Sequence, residues 1–458
     1  MKTVLAISFF LCGWSVLAQN DMIANVNMQF QFTNPGARAL GLGGAFVGLA
    51  DDQTSIFANP AGLTLLRKRT VSFELLSLQD DHLIPFHSGE ILQTGTHDLD
   101  FDLQAKSFSS EYKSIPFVSA VFPLSNINLG FFYAKQADTR RHFSTEFVRI
   151  PAVPYDIRPV NRLETYYFYP TENTLNLKLE TLGGSAAWSF SDTLSVGCTV
   201  GVSRLSYTGQ TALKLPSFQE SEFQFLQPLF GETLATIEVD GDEVGFSGFG
   251  GFLYAPNDRF RFGLTYQHYP SFDYDYTTRQ SQIDFQNLEL SPLEIMEEGI
   301  SVFSVPDNAA IGVSMRSSES LLLSAEIKRV FYSELSDSSY QFFEQNGNRQ
   351  VVEDAMEYHF GLEYFLMDMA VPLSLRAGYW FEPYHALKNT LSDPQIIYRD
   401  ETGGLGIRNA VFLQQFERDL DHLCAGLGLS FSNSLLIDLG IDISDETRKI
   451  SLSGTWRY

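Results

Sequence analysis

Residues 421–458 read DHLCAGLGLSFSNSLLIDLGIDISDETRKISLSGTWRY. Leu423, Ala425, Leu427, Leu429 and Phe431 fall on one parity, and His422, Cys424, Gly426, Gly428 and Ser430 on the other. Ile437, Leu439, Ile441 and Ile443 then alternate with Leu436, Asp438, Gly440 and Asp442. Ile450, Leu452, Gly454, Trp456 and Tyr458 alternate with Lys449, Ser451, Ser453, Thr455 and Arg457. A period of two marks strands with one apolar and one polar face. The polar faces hold Gly, Ser and Thr with few charges, whereas a soluble exported sandwich would carry more charge there. The chain ends on the apolar face, at Tyr458.

The same pattern recurs upstream. AVFPLSNINLGFF, AAWSFSDTLSVG, FLYAPNDRFRFG, SMRSSESLLLSA, YFLMDMAVPLSLRAG and LSFSNSLLIDLG each join two alternating strands by a short turn. The turns centre near Asn126, Asp192, Asn257, Glu319, Met369 and Asn433, at intervals of roughly 50 to 65 residues. With a first strand over 70–79 and a last over 448–458, the total is about fourteen. The remaining connections are long, over 80–113, 139–173, 212–234, 281–303, 334–356 and 384–415; one near Asp445-Glu446 is short. Short turns on one rim and long loops on the other predict an all-β fold, a transmembrane antiparallel β-barrel of about fourteen strands. Phe122, Trp188, Phe190, Tyr254, Tyr364, Phe365 and Phe431 lie near the turns, as an interfacial girdle would.

Composition narrows the class. Of 458 residues 14% are aromatic, and the formal net charge of −24 leaves no basic patch for nucleic acid. Lys2, the apolar run Val4 to Val16 and Val16-Leu17-Ala18 before Gln19 read as a signal peptide over 1–18. Phe10-Leu11 before Cys12 argues against lipidation. No later apolar run reaches the roughly 18 to 20 residues of a membrane helix. The expected location is the outer membrane of a Gram-negative cell. Cys198 falls on the lipid parity with Leu194, Val196, Val200 and Val202, and Cys424 on the lumen parity, so no disulfide is expected.

About 45 residues between the cleavage site and the first strand include ARALGLGGAFVGLADDQTSIFANPAGL, 37–63. Gly41 and Gly43 begin a dinucleotide fingerprint, but its sixth position is Phe46 and no strand precedes it. Asp51 and Asp52 are adjacent and read as capping or salt-bridging residues rather than an acid–base pair. His422 and Ser430, eight residues apart on one strand, stand about 26 Å apart, too far for a nucleophile and its base. His82, His87 and His97 with Asp80, Asp81 and Asp98 read as a solvated acidic loop rather than a metal site. No catalytic residue, metal or cofactor is expected. A wide lumen needs filling, and a compact glycine-rich segment suits it. The expected organisation is a signal peptide over 1–18, a hatch over 19–66 and a barrel over 67–458.

Gly41-Leu42-Gly43, Ala50-Asp51-Asp52 and Asn59-Pro60-Ala61, at this spacing, resemble the N-terminal hatch of the long-chain fatty acid outer-membrane transporters, the FadL type with its toluene and xylene relatives. Segments 305–335 and 372–383 resemble later strands of that family. The resemblance implies a fourteen-stranded barrel with a plug. It implies passive uptake of hydrophobic compounds, long-chain fatty acids foremost, and hatch movement at Gly41, Gly43, Asp51, Asp52, Asn59, Pro60 and Ala61. It also implies sideways exit near the third strand, 127–139, where Gly130 could weaken the wall. Phe218, Phe223, Phe225, Leu226 and Phe230 in one loop, with Leu293, Ile295 and Ile300 on a short amphipathic helix in the next, would form an outer ligand groove or pack the loops on each other. A fatty acid carboxylate would want a cation. Lys328, Arg376, Lys449 and Arg457 have lumen parity, several of them pairing with Glu326, Glu363, Asp438 or Asp442. Lys135, Arg140, Arg141 and Lys214 lie on loops or the rim. The expected partners are hydrophobic small molecules and outer-membrane lipid, with the chain a monomer. The competing expectation is a non-transporting barrel that serves as a secretion or attachment scaffold.

Overall fold

The computed structural model describes residues 32, 34–93, 99–146, 148–150, 166–217, 224–335, 350–385, 388–389, 397–399, 405–407, 418–432 and 434–458. The principal strands are β1 (Thr70–Gln93), β2 (Leu99–Leu124), β3 (Ile127–Ser144), β4 (Thr171–Ser189), β5 (Leu194–Lys214), β6 (Thr233–Tyr254), β7 (Phe260–His268) and β8 (Ser271–Gln280). They continue as β9 (Glu294–Ser304), β10 (Asn308–Arg316), β11 (Leu321–Val330), β12 (Ala355–Leu366), β13 (Leu373–Glu382), β14 (Leu420–Phe431), β15 (Leu435–Ile443) and β16 (Thr447–Arg457). Fourteen of them close a barrel. β1 to β7 pair in sequence, β7 pairs β10, β10 to β16 pair in sequence, and β16 returns to β1 with Thr70 opposite Arg457. Closure satisfies the backbone without leaving a sheet edge in lipid. β8 and β9 extend β7 and β10 past Pro270 and Pro306, and pair with each other with one register shift, between Thr278 and Arg279.

The expected alternation holds. Leu423 is 67% exposed beside fully buried His422 on β14. Cys198 faces out, Cys424 faces in, and both are free thiols. Tight turns fall near Asn126, Asp192, Asn257, Glu319 and Met369; Asn433 itself lies outside the described residues. On β4 to β6 the outward apolar belt, with Leu182, Val200, Val202, Val244 and Phe246, stops at the ion pair Arg204–Asp242.

Much of what the sequence suggests as long loops is strand. β1 and β2 run together to the pair Gln93–Leu99, and β3 and β4 to Ser144–Glu172. The helix expected within 281–303 is absent, and Glu294–Ser304 is β9, paired along β8. β8 alternates at its start, with Phe272 and Tyr274 buried between exposed Ser271, Asp273 and Asp275, but β9 is exposed at every residue from Glu294 to Glu298 and has no reason to alternate there. Antiparallel backbone pairing continues without that pattern, favoured by β-branched Ile295, Ile300 and Val302.

Among the described residues the wall ladder fails at two places within the barrel. β2 and β3 pair from Leu124–Ile127 to Phe117–Ala134 and then part, and a register shift at Lys135–Ala137 marks the same level on the β3–β4 side. β6 pairs β7 over Gly248–Tyr254 and β8 over Ala235–Asp240, leaving Gly241–Ser247 unpaired on that edge.

Candidate functional site

Residues 34–66 fold into a compact unit against the inner wall. They comprise α1 (Ala37–Gly41), α2 (Ser55–Ala58) and a 3-10 turn over Pro60–Leu65. Leu42, Ala45, Phe46, Leu49, Ile56 and Leu63 have no appreciable exposure. The unit approaches the wall so closely because the wall presents glycine to it. Gly130, Gly197, Gly251, Gly263, Gly312, Gly361, Gly378, Gly426 and Gly440 lie on nine different strands. Each has an atom of residues 37–63 where a side chain would begin. At Gly48 an added Cβ would sit 2.6 Å from the carbonyl carbon of Gly312, so backbone meets backbone. Gly43 has a second constraint, with φ at +64° in the left-handed region.

Polar bolts complete the attachment. Arg38 reaches Asp51 Oδ1 at 2.6 Å, Asp52 Oδ2 at 3.3 Å and Glu363 Oε2 at 2.8 Å. Arg376 clamps Glu363 and Asp438, each at 2.7 Å. Asp51 also meets Arg261 at 3.2 Å. Burial alone would push the Asp51 carboxyl up, but Arg38 and Arg261 outweigh it and hold it below the usual carboxylate range. Asp52 accepts from Thr54 N and Thr54 Oγ1, a local cap. Glu326 accepts from Phe46 N and Val47 N, both at 2.9 Å. Asn59 donates to Val47 O at 2.9 Å and Phe252 O at 3.1 Å, and accepts from Ala61 N at 3.2 Å. Gly41, Gly43, Asp51, Asp52, Asn59, Pro60 and Ala61 therefore lie in one buried unit. The alternation placed small residues on the lumen faces; that they mate with 37–63 is a non-local fact with no signal in the strand itself.

Above this unit the lumen is apolar. Ile56, Phe57 and Leu63 from below join Phe117, Phe132, Leu177, Tyr207, Phe249, Tyr269, Phe272, Tyr274 and Phe303 in one cluster. The end of the β2–β3 ladder, Phe117–Ala134, belongs to it, and cations lie just beyond. Lys135 and Arg140 share Asp138 at 3.0 and 3.4 Å, and Arg141 lies 3.5 Å from Asp80. Gly130 stands lower, in unbroken ladder opposite Val121 and Ser185, and its inner side receives Ile56.

The other expected ligand residues separate. Leu226 and Phe230 pack with Leu215, Leu229, Ile283, Leu288 and Leu290 in an outer cluster that joins the two loops. Phe225, Leu293, Ile295 and Ile300 are exposed, and Phe218 and Phe223 lie outside the described residues. Lys328 lies 3.3 Å from Glu357 and donates to Phe32 O, and Lys214 pairs with Glu172. Lys449 is buried in the wall, and Arg457 lies at the end of β16, opposite Thr70. His82 and His87 lie against Phe108, and His97 and Asp98 are outside the described residues. No cluster suited to a metal occurs among the described residues.

Residues 164–401 match the family model described as outer membrane protein transport protein (OMPP1/FadL/TodX). No curated protein matches the sequence. Among solved structures, a Pseudomonas aeruginosa FadL homologue superposes with a TM-score of 0.58 at 16% identity, covering 93% of this chain and 99% of that one. The Pseudomonas putida toluene transporter TodX gives 0.56 at 15%, covering 93% and 99%. The Ralstonia pickettii toluene transporter TbuX gives 0.54 at 14%, covering 94% and 100%. At these identities the likeness speaks for the fold.

Proposed function

The chain belongs to the outer membrane protein transport protein (OMPP1/FadL/TodX) family, and on that premise we propose that it carries hydrophobic compounds passively across the outer membrane, long-chain fatty acids among them. Residues 19–66 act as the hatch, residues 67–458 form the channel, and a single chain suffices because it closes its own barrel. Exposed Phe225, Leu293, Ile295 and Ile300 offer the outer apolar surface where a ligand first lodges, and Leu226 and Phe230 pack the loops beneath it. Movement of the unit that holds Gly41, Gly43, Asp51, Asp52, Asn59, Pro60 and Ala61 then admits it to the apolar lumen.

One observation carries this reading. The apolar lumen cluster reaches the point where β2 and β3 part, and Lys135, Arg140 and Arg141 stand at that break. An alkyl chain would find grease and its carboxylate would find cations. The lateral exit therefore lies above Phe117 and Ala134 rather than at Gly130. The test is uptake of radiolabelled oleate by Gram-negative cells lacking their own fatty acid transporter. The protein raises uptake several-fold over empty cells, and Lys135→Ala combined with Arg140→Ala removes most of the gain. No gain with the intact protein, together with a stoichiometric protein partner on purification, would replace this reading with the scaffold.

A further inference from the structure

The break between β6 and the β7–β8 strand has its own chemistry. β6 stays paired with β5 through the whole stretch, Gly241 opposite Tyr207 to Ser247 opposite Gly201. β8 stays paired with β9, Ser271 opposite Ser304 to Tyr274 opposite Ser301. Only the seam between them, Gly241–Ser247 against Tyr269–Tyr274, lacks backbone hydrogen bonds. Pro270 has no N–H to give, and its ring fills the space over Gly245, where an added Cβ would lie 2.5 Å from Pro270 Cβ. Tyr274 does the same over Gly241, at 2.7 Å. The seam is thus shut by side chains instead of a ladder. Unpaired wall backbone at the edge of the belt is costly, and is tolerated where it lines a cavity.

The two sides of the seam are both apolar. Inside lie Tyr207, Phe249, Tyr269, Phe272, Tyr274 and Phe303, with ring centroids 5.1 Å apart for Tyr207–Tyr274 and 5.4 Å for Phe249–Tyr269. Outside, Val244 is 63% and Phe246 80% exposed. The charge around it is mostly negative, with Arg204, opposite Val244, the cation paired to Asp242. Asp240, Asp242 and Glu243 on β6 and Asp273 and Asp275 on β8 are all exposed. Among the described residues only Asp242 of these five makes an ion pair, to Arg204. A carboxylate approaching here meets like charge at short range, whereas a neutral ring meets faces and edges of other rings.

We propose that the seam between Gly241–Ser247 and Tyr269–Tyr274 is a second lateral passage, taking neutral hydrocarbons with aromatic rings, while ligands bearing a carboxylate leave by the β2–β3 break. The proposal rests on the transport reading above. Its test locks the seam reversibly. Gly245→Cys with Pro270→Cys, in a Cys198→Ser, Cys424→Ser background, is closed by oxidation or a short bis-methanethiosulfonate and reopened with dithiothreitol. Gly241→Cys with Tyr274→Cys repeats the lock should the first pair fail to assemble. Radiolabelled toluene and oleate are the probes, in cells lacking their own transporters. Closure lowers toluene entry several-fold, reduction restores it, and oleate entry stays the same. Equal toluene entry with the seam closed and open overturns the proposal, as does a parallel fall in oleate. A reduced protein that carries neither probe overturns it together with the transport reading.

Discussion

Asn59 shows how one side chain fixes the segment around it. It is fully buried, and its amide spans Val47 O on the same unit and Phe252 O on the wall. Asn59→Ala strands two carbonyls and the Ala61 N–H, which costs about 2–4 kcal/mol in the docking of residues 37–63 on the wall; hydrogen exchange over 37–63 is the direct readout, and unchanged protection would refute the assignment. Asp51 adds a pH dependence. Its folded pKa lies below its ordinary value of 3.8, so its contribution is complete above that value and is lost as pH falls through the depressed one. Protection of 37–63 in the native protein should therefore fall on acidification below about pH 4. Asp51→Asn should start lower and show less of this fall. Asn59-Pro60 is legible in the sequence as a turn. Its partners Val47 and Phe252, 12 and 193 residues away, are not.

The strands carry the same lesson at larger scale. Their lumen faces announce themselves through parity, and glycine on them reads simply as a small residue. The structure sorts those glycines by what they touch. Gly312→Val would drive a side chain into Gly48 N and Val47, and should reduce protection over 46–49 by about 1–3 kcal/mol through overpacking. Gly248 of β6 has nothing within 4 Å of an added Cβ, so Gly248→Ala should leave the same amides within about 0.5 kcal/mol. Equal effects at the two sites would mean that glycine matters for the strand and not for the mating surface. The upper ends of β1 to β4 and the Glu294–Glu298 part of β9 are not legible. They carry no regular apolar period, and only long-range pairing reveals them, whereas Phe272 and Tyr274 on β8 do alternate, buried, with exposed Ser271, Asp273 and Asp275. Neither wall break is legible either, because each is a pairing that does not form.

At the scale of the molecule, the barrel is a boundary between two solvents, and the belt is where its sequence is most constrained. Closure at fourteen strands was readable because each tight turn and each greasy face had to match the membrane's thickness. Which strands part was not, since that depends on long-range pairing and on what fills the lumen. The belt gives a depth scale that can be measured. On β5 the outward residues run Cys198, Val200, Val202 and then Arg204, which pairs with Asp242 at the outer edge. An arginine at the level of Val200 has no such partner and must reach across hydrocarbon to water. Val200→Arg should cost about 2–4 kcal/mol in reversible unfolding from lipid vesicles, while Arg204→Ala, at the interface, should change stability by no more than about 1 kcal/mol. Equal costs at the two levels would move the belt along the strands. It would also take the β6–β8 seam away from the edge of the membrane, where a neutral ligand leaving it would enter the lipid.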